Sequence, residues 1–263
     1  MNAVQEFARF KAAGRRISVV TAYDAWSARL VSRSNVDAIL VGDSAAMVIH
    51  GEPTTLTATV ALMAMHTRAV VRAAGGKFVI ADLPFLSFRK GIPSAMRAVG
   101  ALIAAGAHAV KLEGVDGHED VIRHIVESGI PVMGHLGLTP QSINRFGGFR
   151  VQGRSADDAA ALRRQAHALE DLGCFSIVLE CVPADLAACI TAELTIPTIG
   201  IGAGGRTDGQ VLVLQDLCGL DMTMSPRYVR RYCDAERLLT DALNTYDADV
   251  KQATFPGPEE SYK

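Results

Sequence analysis

The sequence has few aromatic residues and no long apolar run, and each shortage excludes a class of protein. Aromatic residues make up 6% of the 263 residues, with a single tryptophan, so the core must depend on aliphatic side chains. Every apolar run is interrupted by charge or glycine well before the roughly 20 residues that a membrane span requires. The N-terminus lacks the apolar centre of a signal peptide. These features argue against a membrane protein.

The cysteines are also too few and too irregular for a disulfide framework or a zinc site. They are odd in number and contain no CxxC pair: Cys174, Cys181, Cys189, Cys218 and Cys233. We interpret them as reduced thiols, which predicts a cytoplasmic protein. The formal net charge is −2 and no basic run occurs, so neither nucleic acid nor an anionic membrane is an expected partner.

Short apolar runs alternate with stretches of helical spacing through most of the chain. The runs lie at 17–22, 38–43, 78–83, 109–114, 131–136, 176–181 and 197–202. The helical stretches include 25–34, 59–74, 93–105, 119–128, 156–172 and 183–193. Runs that are apolar on both faces are typical of parallel strands covered by helices, and the alternation predicts βαβ units.

The number of strands decides between two α/β architectures. Seven runs are clear, and a weaker eighth strand is predicted near 217–222. The count and the chain length favour a (β/α)8 barrel of the TIM type over a doubly wound open sheet. A helix over 3–12 would precede the first strand and could close the bottom of the barrel. We therefore expect one domain over 1–263, with an irregular tail from about residue 253.

Polar residues end five consecutive predicted strands. They are Asp43, Asp82, Glu113, His135 and Glu180. In a barrel these positions share the C-terminal rim, where active sites in this fold are found. A single acid after a strand is more often a helix cap or a salt-bridge partner. The recurrence on five strands, rather than any one member, therefore predicts a functional site.

Three of these residues are acids from adjacent strands, and this grouping favours a metal ion. Close carboxylates repel one another and are costly to bury without compensation. A divalent cation removes both costs, and oxygen ligands favour Mg²⁺ or a similar hard ion. Lys111 lies two residues before Glu113 and shares its strand face. We expect Lys111 to provide a charge for an anionic substrate group.

The remaining polar positions and one glycine-rich segment differ in how strongly they indicate a functional role. Glu180 follows an apolar run and precedes Cys181 and Val182; such surroundings raise the pKa of a carboxylate and suit a general base or acid. His135 is compatible with a proton shuttle, a hydrogen-bond donor or a core histidine. The IGIGAGG segment (199–205) matches GxGxxG, but it follows the seventh strand rather than the first, so we expect a close-packed loop there.

Several of these residues lie in segments that resemble the ketopantoate hydroxymethyltransferase family, whose members are also called 3-methyl-2-oxobutanoate hydroxymethyltransferases. The matching segments occur in the family's order over nearly the whole chain. They are TAYD (21–24), LVGDS (40–44), ADLPF (81–85), VKLEG (110–114), GHLGLTPQS (134–142), FGGFRVQGR (146–154), VLECVP (178–183), IGIGAG (199–204), DGQVLV (208–213) and FPGPEES (255–261).

The resemblance implies a (β/α)8 barrel that catalyses an aldol-type transfer with Mg²⁺ as cofactor. The hydroxymethyl group of 5,10-methylenetetrahydrofolate would pass to 3-methyl-2-oxobutanoate, giving 2-dehydropantoate for pantothenate and coenzyme A synthesis. The small-molecule partners would thus be a 2-oxo acid and a folate. The family also implies a homodecamer built as a pentamer of dimers.

The resemblance assigns roles to the metal- and substrate-binding positions. Asp43 in LVGDS and Asp82 in ADLPF correspond to the direct metal ligands, through which the substrate is also bound. Glu113 in VKLEG corresponds to a further acidic member of the metal site, acting through water. Lys111 and Ser44 match positions that hold the substrate carboxylate and oxo group.

It also assigns two catalytic positions. Glu180 in VLECVP matches the family's proton acceptor, and His135 in GHLGLTPQS matches a histidine near the reacting carbon. We expect Glu180 to remove the proton from C3 of the 2-oxo acid. The resulting enolate, stabilised by Mg²⁺, would attack the methylene carbon of the folate.

Three segments depart from the family's usual sequence. They are 87–97 (SFRKGIPSAMR), 113–117 (EGVDG, which begins at Glu113) and 50–56 (HGEPTTL). All three fall in predicted loops or helix starts that could shape the rim. The acid, lysine, serine and histidine positions are unaffected.

Two alternatives use the same rim of acids. A Mg²⁺-dependent C–C lyase acting on a 2-oxo acid or phosphoenolpyruvate would need a similar site. Such enzymes often carry a cysteine in a mobile loop, and 85–105 contains no cysteine. A barrel that binds a small acid without turnover would be indicated by a missing base, whereas Glu180 is present.

Overall fold

Eight parallel strands form a closed barrel in the computed structural model, which describes residues 3–220 and 226–262. The strands follow one another around the barrel in chain order, and the last pairs with the first. They are β1 (Ile17–Thr21), β2 (Ala38–Val41), β3 (Phe78–Asp82), β4 (Ala109–Glu113), β5 (Val132–Gly137), β6 (Ser176–Glu180), β7 (Thr198–Ile201) and β8 (Gly209–Leu212). The predicted (β/α)8 fold is confirmed.

Helices occupy most of the connections between the strands. They are α1 (Gln5–Ala12), α2 (Ala25–Ser32), α3 (Ala45–Val48), α4 (Val60–Val71), α5 (Ile92–Ala104), α6 (Glu119–Glu127), α7 (Ile143–Phe146), α8 (Ala156–Asp171), α9 (Ala184–Glu193), α10 (Leu214–Cys218) and α11 (Ala235–Lys251). Residues 1–213, which contain the barrel, form one compact unit, and 214–263 form a second. Among the described helices, none combines the length and the apolar character that crossing a membrane demands.

The eighth strand is not where the sequence analysis placed it. The predicted segment near 217–222 begins inside α10, and its last two residues lie outside the described ranges. The actual strand is Gly209–Leu212, which pairs with β1 along four residues. The prediction was wrong because this strand is short and carries a glutamine, so its apolar pattern is weak. Gly209 is required there, since a Cβ at this position would lie 2.3 Å from the carbonyl oxygen of Ile17.

Helix α1 closes the N-terminal end of the barrel, as predicted. Phe7 and Phe10 are buried and belong to the core cluster inside the barrel. The ring of Phe7 contacts Phe78 and Phe175 at centroid distances of 5.7 and 5.0 Å. Phe78 is the first residue of β3, and Phe175 directly precedes β6. The aromatic plug therefore lies at the end of the barrel opposite the predicted polar rim.

Candidate active site

The register of the strands brings the predicted polar residues together at the C-terminal rim. Asp82 at the end of β3 is in register with Lys111 on β4, and Glu113 on β4 is in register with His135 on β5. Residues in register on parallel strands direct their side chains to the same face. All four side chains are buried. Lys111 Nζ lies 3.1 Å from Asp82 Oδ1, which makes a buried ion pair at the centre of the site.

His135 joins the central ion pair to Glu180. Its Nδ1 lies 3.3 Å from Glu113 Oε1, and its Nε2 lies 3.2 Å from Glu180 Oε2. Burial and the charge of Lys111, whose Nζ is 3.3 Å from Nδ1, oppose protonation of the ring. The two carboxylates outweigh them and raise the pKa of His135 to about 9. The imidazole is therefore cationic near neutral pH, with a carboxylate on each side.

Asp43 and Asp82 meet at the other side of the site. The backbone N–H of Asp43 donates to Asp82 Oδ2 at 3.1 Å. Burial, and then the charges of Asp82 and Glu113, raise the pKa of Asp43 well above its usual range. Burial also raises the pKa of Asp82, despite its ion pair with Lys111. At both carboxyl groups, the effect of burial outweighs the charge of Lys111, which lowers each pKa.

Gln141 is a member of the site that the sequence analysis missed. It follows β5, in a 3₁₀ turn over Pro140–Ser142, and its side chain is buried. Its amide Nε2 donates to Asp43 Oδ2 at 2.8 Å and to the carbonyl oxygen of Leu83 at 2.9 Å. Its backbone N–H donates to Glu113 Oε2 at 2.9 Å. Gln141 therefore orients two of the three acids, and its place inside GHLGLTPQS was the available signal.

Tyr23 is the second residue that the sequence analysis did not single out. Its ring is fully buried, and its hydroxyl lies 2.8 Å from the hydroxyl of Ser44, one of the predicted substrate-binding residues. The backbone carbonyl oxygen of Tyr23 is 2.5 Å from Nδ1 of His66, a buried histidine of α4. Tyr23 therefore fixes Ser44 beside Asp43. Its position in TAYD, directly after β1, was again the available signal.

The charges of the site fit a divalent cation. In the part of the chain that the structure describes, four acids (Asp43, Asp82, Glu113 and Glu180) lie around two cationic groups, Lys111 and His135. The buried oxygens Asp82 Oδ1 and Glu113 Oε1 contact Lys111 and His135, respectively, but accept no regular hydrogen bond from the described residues. In the described part of the chain, no three His, Cys, Asp or Glu side chains form a metal-binding group by themselves. Mg²⁺ is commonly held by one or two carboxylates together with water and substrate oxygens, so these residues fit it.

A comparison of the chain with protein families agrees with this arrangement. The family model for ketopantoate hydroxymethyltransferase matches residues 2–258. The chain belongs to the ketopantoate hydroxymethyltransferase family. Its relatives include proteins named 3-methyl-2-oxobutanoate hydroxymethyltransferase from Bdellovibrio bacteriovorus, 53% identical over the whole of both chains, and from Coxiella burnetii, 54% identical over 95% of each. A relative of the same name from Francisella tularensis is 50% identical over 100% of this chain and 99% of its own.

Solved structures outside the ketopantoate hydroxymethyltransferase family share its fold. A phosphonopyruvate hydrolase, solved with oxalate and Mg²⁺, has a TM-score of 0.65 at 13% identity, covering 99% of this chain and 93% of its own. A 2,3-dimethylmalate lyase, described as a member of the PEP mutase/isocitrate lyase superfamily, has a TM-score of 0.62 at 16% identity, covering 100% and 92%. At these identities the likeness concerns the fold alone.

The GxGxxG match does not form a dinucleotide site in this family member. That motif needs a helix directly after its strand, with the glycines at the helix N-terminus. In the described residues, the chain passes from β7 to β8 through 202–208 without a helix. A Cβ at Gly200 would lie 2.7 Å from the hydroxyl of Thr207. The glycine serves a close approach between neighbouring segments, as the sequence analysis expected.

Proposed function

We propose that the protein transfers a hydroxymethyl group from 5,10-methylenetetrahydrofolate to 3-methyl-2-oxobutanoate. Family membership supports the reaction class, because the relatives at 50–54% identity carry the name of this activity. In the proposed reaction, the C3–H bond of the 2-oxo acid breaks and C3 bonds to the methylene carbon of the donor. Water supplies the hydroxyl oxygen, and the donor nitrogen leaves as a secondary amine.

The observation that carries the proposal is the placement of Glu180 beside a protonated histidine. His135 Nε2 lies 3.2 Å from Glu180 Oε2 and orients this carboxyl group, as a positioned general base requires. Glu180 ends β6 and is the most exposed acid of the cluster, with 13% of its side chain accessible. We propose that Glu180 accepts the C3 proton and that His135 stabilises the charge of the carboxylate before the transfer.

Substrate binding is proposed for the opposite side of the cluster. Lys111 is cationic, because the surrounding acids raise its pKa above the ordinary value against the effect of burial. Its ammonium group offers a charge for the substrate carboxylate. The hydroxyl of Ser44, held by Tyr23, is placed to donate to the oxo oxygen. The two contacts would orient C3 towards Glu180.

We propose that Asp43 and Asp82 hold Mg²⁺ directly and that Glu113 holds it through water. When bound, the ion would act as a Lewis acid on the oxo group of the substrate and stabilise its enolate. The excess of carboxylates over cations supports this assignment. The cytoplasmic location and the homodecameric state expected from the sequence remain part of the same proposal.

The first experiment combines the purified protein with 3-methyl-2-oxobutanoate, 5,10-methylenetetrahydrofolate and Mg²⁺. We expect 2-dehydropantoate to be detected by mass spectrometry and to disappear when EDTA is added. Asp82→Ala should abolish metal-dependent turnover and the thermal stabilisation by Mg²⁺. Product formed without the donor or in the presence of EDTA would contradict the proposed reaction, and wild-type activity of Asp82→Ala would contradict the metal assignment.

The role of Glu180 is tested separately by isotope exchange. Glu180→Gln should slow the exchange of the C3 hydrogen of 3-methyl-2-oxobutanoate with D₂O by about 10²-fold or more, the usual contribution of a general base. Binding of Mg²⁺, measured by calorimetry, should persist in this variant. Exchange at the wild-type rate would exclude Glu180 as the base.

A further inference from the structure

A cavity of about 400 Å³ lies beside the segment that follows β3, the strand that ends at Asp82. Its wall includes Pro84 and Phe85, two and three residues after Asp82 at the end of β3. Because a chain extends at most about 3.6 Å per residue, these residues lie within roughly 11 Å of Asp82. Ala58 and Thr59, which precede α4, and the first turns of α5 form the other walls. The cavity therefore lies within a short chain distance of Asp82, and none of the acids of the site lines it.

The charge in this cavity has one sign. Lys90 and Arg97 line it, and none of its ten lining residues is an acid. Both side chains are exposed. Within residues 3–220 and 226–262, neither has an ion pair or a hydrogen bond. Two cations that face a concave wall without a partner indicate a site for an anionic ligand.

The rest of the wall is apolar, apart from a few hydroxyl groups. Phe85 is 39% exposed, which leaves its ring available for a flat ligand. The hydroxyl oxygen of Ser87 is buried and has no hydrogen-bond partner in the described residues. On α5, Ser94 and Arg97 are three residues apart and share one helix face. An aromatic surface and two cations suit a ligand that joins a ring system to carboxylates.

We propose that this cavity binds the aminobenzoyl-glutamate part of the one-carbon donor, with Lys90 and Arg97 pairing its glutamate carboxylates. The inference rests on the proposed function, since the donor has this chemistry. It places the donor on the Asp82 side of the site. It also gives a physical role to 87–97, because both cations lie in this segment.

The test varies the charge of the donor as well as that of the protein. The KM of the wild-type protein is measured for 5,10-methylenetetrahydrofolate with one glutamate and with three glutamates. The longer tail should have the lower KM, and the difference should shrink in 0.5 M salt, because screening weakens exposed ion pairs. The double variant Lys90→Met/Arg97→Met should raise the donor KM by about 2- to 30-fold, the range for two exposed ion pairs. It should also lose the preference for the longer tail.

Matched variants separate this role from a merely structural one. Arg164→Met removes an exposed arginine of α8 that lies outside the cavity and should leave both donor KM values unchanged. Lys90→Arg/Arg97→Lys keeps both charges and should retain most of the tail preference. In the Met double variant, the change should be confined to the donor KM, while the KM for the 2-oxo acid stays at the wild-type value.

The outcomes distinguish this inference from the proposed function. If the wild-type protein neither forms 2-dehydropantoate nor exchanges the C3 hydrogen, the proposed function fails, and this inference fails with it. If the wild-type protein is active but its donor KM does not depend on tail length, the cavity assignment alone is overturned. The same holds if the Met double variant keeps the wild-type donor KM.

Discussion

Gln141 donates three hydrogen bonds within the site. It donates to the carboxylate of Asp43 and, through its backbone, to that of Glu113. A hydrogen bond to a charged group contributes about 1.5–3 kcal/mol, more than a neutral one. The bond from Gln141 also lowers the pKa of Asp43, against burial and the neighbouring acids, which raise it. The amide therefore helps to keep Asp43 ionised.

Replacement of this amide should weaken metal binding and shift the pH profile. Gln141→Leu keeps the volume but removes the donor, so the pKa of Asp43 should rise further. A carboxylate must be ionised to bind Mg²⁺, and the acid limb of the activity profile should therefore move to higher pH. We expect about 10- to 100-fold weaker Mg²⁺ binding at neutral pH, from the value of the lost bond, measured by calorimetry.

A matched glutamine provides the control for this prediction. The side-chain amide of Gln152 donates to the carbonyl oxygen of Arg150, a contact near the surface. Gln152→Leu should leave Mg²⁺ binding and the acid limb unchanged. If Gln141→Leu binds Mg²⁺ as tightly as the wild type, then the hydrogen bond from Gln141 to Asp43 does not help to keep Asp43 ionised.

The residues that sequence reasoning could find are those fixed by the strands. Lys111 and Glu113 lie two residues apart on β4, so they share one face of the strand. Asp82 is in register with Lys111, and His135 is in register with Glu113. The ends of barrel strands meet at one rim regardless of the conformation of the loops. The positions of these residues at the strand ends were therefore sufficient to group them in one site. Gln141 and Tyr23 could not be found in this way, because turns after the strands, rather than the strand period, direct their side chains.

At the scale of elements, Arg89 links two loops of the rim. Its guanidinium group donates to the carbonyl oxygens of Glu113 and Asp116, at 3.2 Å in both cases. Arg89 belongs to the loop between β3 and α5, whereas its acceptors end β4 and begin the following loop. The contact holds the backbone of Glu113 in place.

Loss of this link should reduce catalysis without removing any group that touches the substrate. Arg89→Met should lower kcat/KM by about 2- to 10-fold, the range for one or two partly exposed hydrogen bonds. Arg89→Lys should restore part of the loss, because an ammonium group can reach one of the two carbonyl groups. Steady-state kinetics at saturating and limiting Mg²⁺ would measure both effects.

The corresponding control is an arginine with no place at the rim. Arg123 is an exposed residue of α6, and Arg123→Met should have wild-type kinetics. Equal activity of Arg89→Met and Arg123→Met at limiting Mg²⁺ would contradict a positioning role for Arg89.

The strand elements themselves were predictable, with one exception that has a physical reason. Seven strands are recognisable because parallel barrel strands are apolar on both faces. In β8, the close approach to Ile17 requires Gly209, and the next residue, Gln210, is exposed. A strand defined by close backbone contact rather than by apolar side chains leaves little pattern in the sequence.

At the scale of the whole barrel, stability and chemistry are concentrated at opposite ends. The aromatic plug formed by Phe7, Phe78 and Phe175 closes the N-terminal end. The buried acids and their partners occupy the C-terminal rim, where burial of charge costs free energy. Burial of apolar side chains at the N-terminal end must therefore offset the free energy cost of burying charge at the C-terminal rim. Changes at the plug should then affect stability much more than the reaction.

Phe7→Ala tests this separation. Phe7 is fully buried, and the removal of a buried phenylalanine side chain costs about 3–5 kcal/mol of unfolding free energy. We expect a lower midpoint in thermal unfolding, with kcat/KM unchanged at temperatures where the variant remains folded. Leu30→Ala, at a residue of α2 that is 49% exposed, should change neither quantity. A fall in kcat/KM for fully folded Phe7→Ala would mean that the plug also controls the geometry of the rim, and that the two ends of the barrel are coupled.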